Sequence, residues 1–198
     1  VIAAMVEAMG ARPRILPIAR DTRDALRATF AGAVGADLIV TSGGASVGSH
    51  DLVGEVASEL GLERSFWKIA MRPGKPLMAG RMGAAAMLGL PGNPVSATVC
   101  AKLFLEPMLK RFQGLAPEIR TQDAVLAHDI GPTGPRTHYM RATLTHAQGA
   151  DPLPRIAAHV NQDSAMMSVL SAADALLIRP LGDTARRAGE KVRYIALR

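Results

Sequence analysis

The chain has 198 residues, of which 48% are hydrophobic and 20% charged, with a formal net charge of +6 and a single cysteine. That length suits one medium domain and a small one; no apolar run approaches the roughly 20 residues that cross a bilayer, which excludes a helical membrane protein; and Cys100 alone excludes an internal disulfide and fits a reducing, cytoplasmic setting. The cations are scattered, without a basic run and with only 4% aromatic residues for stacking, which argues against nucleic acid and leaves a basic pocket for a small anion.

In chain order, "VIAAMVEAMGA" is helical from its first residue, with Ile2, Met5, Val6 and Met9 on one face and Gly10 at its end. No capping residue precedes it and Val1 is not a methionine, so the sequence reads as the later part of a longer protein. "RILPIA" (14–19) reads as a buried strand. Asp21 and Thr22 cap a helix to about Val34, with Leu26 and Phe30 inward. "ADLIVTS" is the next strand, Asp51 to Leu60 the next helix, and "SFWKIAM" (65–71) a third strand. The loop "RPGKP", the apolar segments "LMAG" and "AAAMLGL", and the loop "PGNP" lead to a long helix from Val95 to about Phe112, which buries Cys100 as a small hydrophobe. This alternation predicts an α/β domain, a three-layer, mostly parallel sheet with helices on both faces, over 1–114. Residues 115–198 change character. Pro117, Pro132, Pro135, Pro152 and Pro154 punctuate short alternating stretches, which predict a small all-β, barrel-like domain of antiparallel strands with one helical piece, "SAMMSVLSAA".

Three loops carry the chemistry. "TSGGASVGSHD" (41–51) follows a strand and precedes a helix; its glycines let backbone N–H groups approach a ligand, and Ser42 and Ser46 add hydroxyls. Asp51 would repel an anion unless a metal ion bridges the two. "MRPGKPL" holds Arg72 and Lys75 on one turn, a pair suited to an oxyanion. "GLPGNPVSA" has Asn93 as helix N-cap, Pro94 at the first turn and Ser96 just inside. In a parallel sheet all three loops emerge along one edge. The plain alternative for each is turn or capping chemistry.

"TSGGASVGSHD", "KIAMRPGKP" and "GLPGNPVSA", in this order, resemble the MoeA family of molybdopterin molybdenumtransferases, to which the gephyrin E domain also belongs. The resemblance runs the whole length: a MoaB/MogA-like molybdopterin-binding domain to residue 114, then the small β domain. It implies a late step of molybdenum cofactor synthesis, in which molybdate is inserted into adenylated molybdopterin and AMP is released with Mg²⁺. Asp21 and Asp51 take the family's acidic positions, as metal ligands or to place water. Lys75 takes the second lysine of the family's "KPGK" turn, and Arg72 replaces the first. Lys68 lies on the strand entering that turn. Ser42, Gly43, Gly44, Ser46, Gly48, Pro91, Gly92, Asn93, Pro94 and Ser96 fall on the substrate-binding loops. Ser164, in "NQDSAMMS", matches a "QGS" segment, with Asp163 in place of its glycine. The likeness further implies a homodimer in which an upstream domain of a second subunit completes the site, a separate adenylyltransferase as partner, and poor turnover by these residues alone. The alternatives are a molybdopterin adenylyltransferase, against which the β domain counts, and a non-catalytic scaffold of the same fold.

Overall fold

The computed structural model describes residues 1–43, 52–146 and 152–197. The chain divides into two compact units, Val1–Ile69 with Gly74–Pro117, and Ala70–Pro73 with Glu118–Arg198. Four residues of the "RPGKP" region therefore belong to the second unit rather than the first.

The first unit begins with α1 (Ile2–Ala8), after which Gly10 takes a positive φ of 77°. Residues 14–19, expected as a buried strand, are in no strand, and Ile15 and Ile18 are exposed. Pro13 and Pro17 flank and interrupt this segment, and a proline cannot donate to a ladder. Helix α2 (Arg23–Ala31) is capped by Thr22, whose Oγ1 accepts from the Ala25 N–H at 3.3 Å; Asp21 lies one residue outside the cap. Helix α3 (Leu52–Glu59) stands beside α2, and Arg23 and Arg27 tie the two together through Glu55 and Glu59.

Four strands form the first sheet: β1 (Leu38–Ser42), β2 (Leu62–Trp67), β4 (Met78–Met82) and β5 (Ala85–Leu90), in the order β1-β5-β4-β2. The intervening β3 (Met71–Arg72) belongs to the second unit. Only β1–β5 is parallel; β5–β4 and β4–β2 are antiparallel. The expected mostly parallel sheet is thus, in these strands, a mixed one. The cause is local: β4 and β5 are joined by Gly83 and Ala84 alone, and a parallel pair needs a crossover of a dozen or more residues. One sheet face carries Leu62, Met78 and Met87, packed against Leu26 and Phe30 of α2 and Val56 and Ala57 of α3. On β5, Leu88 and Leu90 point the other way and are buried.

After β5 the chain is helical from Pro94 to Phe112: α4 (Pro94–Cys100), a π-helical turn (Ala101–Leu105) and α5 (Glu106–Phe112). The apolar run "VCAKLFL" supplies the buried side, with Val95, Val99, Cys100, Leu103 and Leu105 shut from solvent.

The second unit contains β3, β6 (Gln122–Leu126), β7 (Thr137–Thr145), β8 (Arg155–Ala158), α6 (Met167–Ser171), β9 (Ala175–Arg179) and β10 (Lys191–Ala196). The pairings β7–β8, β8–β6, β6–β10, β10–β9 and β9–β7 return to their starting strand, so five strands close into a barrel. Closure removes the exposed edges that an open sheet of this size would present. Its interior holds Ala124, Leu126, Ala142, Ile156, Ala175, Leu177, Val192 and Tyr194. The strands are not all antiparallel: β6–β8 and β3–β7 are parallel.

Candidate functional site

The loops of the first unit meet along one rim, by a route the sequence did not suggest. Because β4 runs antiparallel to both β5 and β2, strand β2 points the same way as β5 and β1. Cross-strand partners align Thr41, Gly89, Met78 and Trp67 in a single row. Just beyond that row the chain leaves β1, leaves β5, and runs from β2 back to β4 through residues 68–77. These three exits occupy one edge because the sheet reverses direction twice, not because it is parallel.

Ser42 and Gly43 lie at the end of β1; Ser42 is exposed, and Gly43 has a φ of 90°. The Gly43 N–H donates to Leu90 O at 3.2 Å, which binds this loop to the start of the next. Gly92 faces it so closely that a β-carbon there would stand 3.2 Å from Gly43 Cα. Gly43 thus favours glycine for its backbone angle, and a side chain at Gly92 would press on Gly43 by a few tenths of an ångström. Gly44, Ser46, Gly48 and Asp51 lie outside the described residues.

Pro91 is buried and Gly92 exposed. Asn93 caps α4, its Oδ1 accepting from the Ser96 N–H at 3.1 Å, with Pro94 at the first helical position. Ser96 is buried, 6% exposed, so any ligand contact by its hydroxyl is from beneath the loop rather than from its rim.

The "RPGKP" loop splits its two cations. Lys75 is exposed in the first unit, on a turn fixed by its own carbonyl, which accepts from the N–H groups of Ile69 and Leu77 at 3.1 Å each. Gly74 O lies 4.0 Å from Cys100 Sγ on α4. Burial pushes the Cys100 thiol up to about 12, so this cysteine packs and does not react. Arg72 instead sits in β3, paired with β7 of the second unit. Arg72 is thus committed to a strand, while Lys75 stays in the turn. Lys68 has a φ of 70°, which breaks the expected strand 65–71 between β2 and β3, and its Nζ rests 4.1 Å from the Trp67 ring.

Asp21 is exposed, with no hydrogen bond or ion pair among the described residues. No group of three or more His, Cys, Asp or Glu able to hold a metal ion occurs among the described residues. Asp21 therefore offers one open carboxylate, not a cage.

Two buried polar atoms end the rim row and lack partners among the described residues: Thr41 Oγ1 and Trp67 Nε1. Neither was singled out from sequence. Their signal was their place, as the last inward-facing residues of β1 and β2.

In the second unit, Ser164 sits in a turn organised by Arg141, which sequence reasoning also missed. Arg141 is 1% exposed; its Nη1 donates to Asp163 O at 2.9 Å, and its Nε and Nη2 donate to Gln162 Oε1 at 3.2 and 3.1 Å. The Asp163 carboxylate is spent within the turn, accepting from the Ala165 N–H at 2.9 Å.

Residues 1–111 match the family of the probable molybdopterin binding domain, and residues 123–197 match the MoeA C-terminal region, domain IV. The chain belongs to the MoeA family. This MoeA-family chain is 31% identical over 207 residues to the molybdopterin molybdenumtransferase of Nostoc sp., an alignment covering 99% of the chain and 46% of that relative. It is 31% identical over 164 residues to the molybdopterin molybdenumtransferase of Bacillus subtilis, covering 82% and 37% respectively. Among solved structures it superposes on the molybdopterin biosynthesis MoeA protein from Pyrococcus horikosii with a TM-score of 0.78 and 26% identity, over 100% of this chain and 46% of that one. The MoeA-family chain thus spans about half the length of the relatives it matches.

Proposed function

We propose that this chain acts in molybdenum cofactor synthesis as part of a molybdopterin molybdenumtransferase, inserting molybdate into adenylated molybdopterin with release of AMP. One observation carries the reading: three turns open on one rim of the first sheet, and two of them touch through Gly43 and Gly92. The relatives' names supply the substrate class.

In this proposal the backbone at Ser42–Gly43 and Pro91–Asn93 lies against the pterin phosphates, where side chains would block approach. Lys75 carries a mobile positive charge beside them and neutralises the oxyanion. Ser42 and the loop serine Ser46 donate hydroxyl hydrogen bonds. Asp21 and Asp51 would hold a hydrated Mg²⁺ against the pyrophosphate, where it would offset charge on the departing phosphate. Arg72 is proposed as a further catalytic cation and Ser164 as a further substrate-binding residue. A homodimer, with an upstream domain of a second subunit completing the pocket, and an adenylyltransferase that supplies the substrate, complete the proposal.

The test supplies the full-length protein with adenylated molybdopterin, molybdate and Mg²⁺, without ATP. AMP release is expected. If product needs ATP and free molybdopterin, the adenylyltransferase reading replaces this one; if neither mixture gives AMP, a scaffold role does. Lys75→Ala and Asp21→Asn are each expected to slow AMP release by about 10²-fold, the order for loss of one electrostatic contact to a reacting anion. The 198-residue chain by itself is expected to bind substrate without turning it over.

A further inference from the structure

The second unit concentrates cations, of which Arg72 alone enters the function proposed above. Arg72 of β3 pairs with His138 of β7, and His138 pairs on its other side with Arg179 of β9, so the three residues form one row on one face. With Arg136, Ile130, Met140 and the loop Gly131–Pro135 they line a pocket of about 320 Å³. Like charges set side by side across strands oppose each other, and no carboxylate lines this pocket among the described residues.

Arg179 is 1% exposed. Its Nε pairs with Asp183 Oδ2 at 2.6 Å, and its Nη2 donates to Thr184 O at 2.7 Å and Gly131 O at 3.1 Å, but its Nη1 meets no acceptor among the described residues. Asp183 is already shared with Arg186 at 2.8 Å. Arg72 and Arg136 have no ion pair among the described residues. His138 stays neutral in ordinary buffers: burial, then Arg72, Arg141, Arg136 and Arg179, pull its pKa to about 4. A buried guanidinium nitrogen without an acceptor and two uncompensated guanidinium groups together describe a place waiting for negative charge.

We propose that this pocket binds a tetrahedral oxyanion of the phosphate or sulfate class, free or carried on a small organic molecule, between Arg72, Arg136 and Arg179. His138 contributes one ring N–H, and the glycine loop at 131–134 lets the anion approach the backbone. Arg72 is common to this pocket and the function proposed above; the other residues are not.

The experiment titrates the purified protein with inorganic phosphate, and separately with glycerol phosphate, at constant ionic strength held with chloride. Heat of binding and the His138 imidazole resonances are followed. Saturable binding that moves the His138 signals is expected. Arg136→Gln, at an exposed position, is expected to weaken it about tenfold with an unchanged melting temperature, and Arg179→Met to abolish it. Arg155→Gln, outside the pocket, should change nothing. Tighter binding of glycerol phosphate than of phosphate would indicate an organic carrier; equal binding would indicate the free ion. Absence of saturation, or saturation indifferent to both pocket variants, would overturn the proposal and leave the pocket to water. AMP release by Arg136→Gln reports separately on the function proposed above, so failure of one is not failure of the other.

Discussion

Gly80 shows how one position constrains the sheet beneath the rim. A β-carbon there would stand 2.4 Å from Glu63 O and 2.8 Å from Leu62 Cδ1, opposite the register shift between Arg64 and Phe66. Backbone on the neighbouring strand cannot yield as a side-chain end could, so Gly80→Ala is expected to cost about 1–3 kcal/mol in urea unfolding. Asn93 is a milder case. Its Oδ1 holds a donor that the first helical turn leaves free, and Asn93→Ala should lose about 1 kcal/mol by the same measurement. Lys68 runs the other way: its φ of 70° disfavours any residue with a β-carbon. Lys68→Gly should therefore leave stability unchanged or raise it by up to about 1 kcal/mol, even though it removes the cation stacked on Trp67. A loss of more than that would mean the stacking outweighs the backbone.

Among the elements, the helical stretch from Pro94 to Phe112 is held on its solvent side by a ladder of Lys102, Glu106 and Lys110, with contacts of 2.8 and 2.9 Å. Burial would raise the Glu106 carboxyl pKa, but hydrogen bonds from both lysines carry it below its ordinary value. Helical pairs of this spacing contribute about 0.3–0.5 kcal/mol each, so Glu106→Gln should cost under about 1 kcal/mol, and less in high salt. Elements of this kind were legible. The apolar runs at 38–42, 78–82 and 85–90 became strands, and Asn93–Pro94 marked a helix start, because each signal is contained in its own residues. What was not legible depended on distant partners. Residues 14–19 look apolar enough for a strand, yet their prolines forbid the ladder and leave Ile15 and Ile18 in solvent. The strand that holds Arg72 depends on β7, whose pairing with β3 leaves no trace in "RPGKP". Arg141 and Arg179 read as ordinary surface cations in alternating strands, yet both are buried, Arg141 against Gln162 and Asp163 and Arg179 against Asp183 and Thr184.

At the scale of the whole molecule, charge and acid response follow from the barrel. His138 titrates at about 4 in the folded chain against 6.5 for the unconstrained side chain, so the unfolded state binds more protons between those values. Its contribution to stability is complete above about 6.5 and is lost as pH falls through about 4. After burial, the charges that lower it are those of Arg72, Arg141, Arg136 and Arg179. Thermal melts of His138→Gln should accordingly be flatter than wild type between pH 6.5 and 4. Saturation with phosphate should shift the wild-type decline to lower pH by adding stability, and leave Arg179→Met untouched. The placement of the rim was half legible: three loops were expected on one edge and are found there, but the sheet achieves it by folding back on itself. That reversal has a practical corollary. Since β4 leaves the rim and β5 returns to it, the two-residue turn Gly83–Ala84 marks the opposite end of the sheet, with Gly83 at a φ of 59°. A tether attached at Ala84 would sit a full strand length away from any guest on the rim, giving a handle for immobilisation that does not obstruct it.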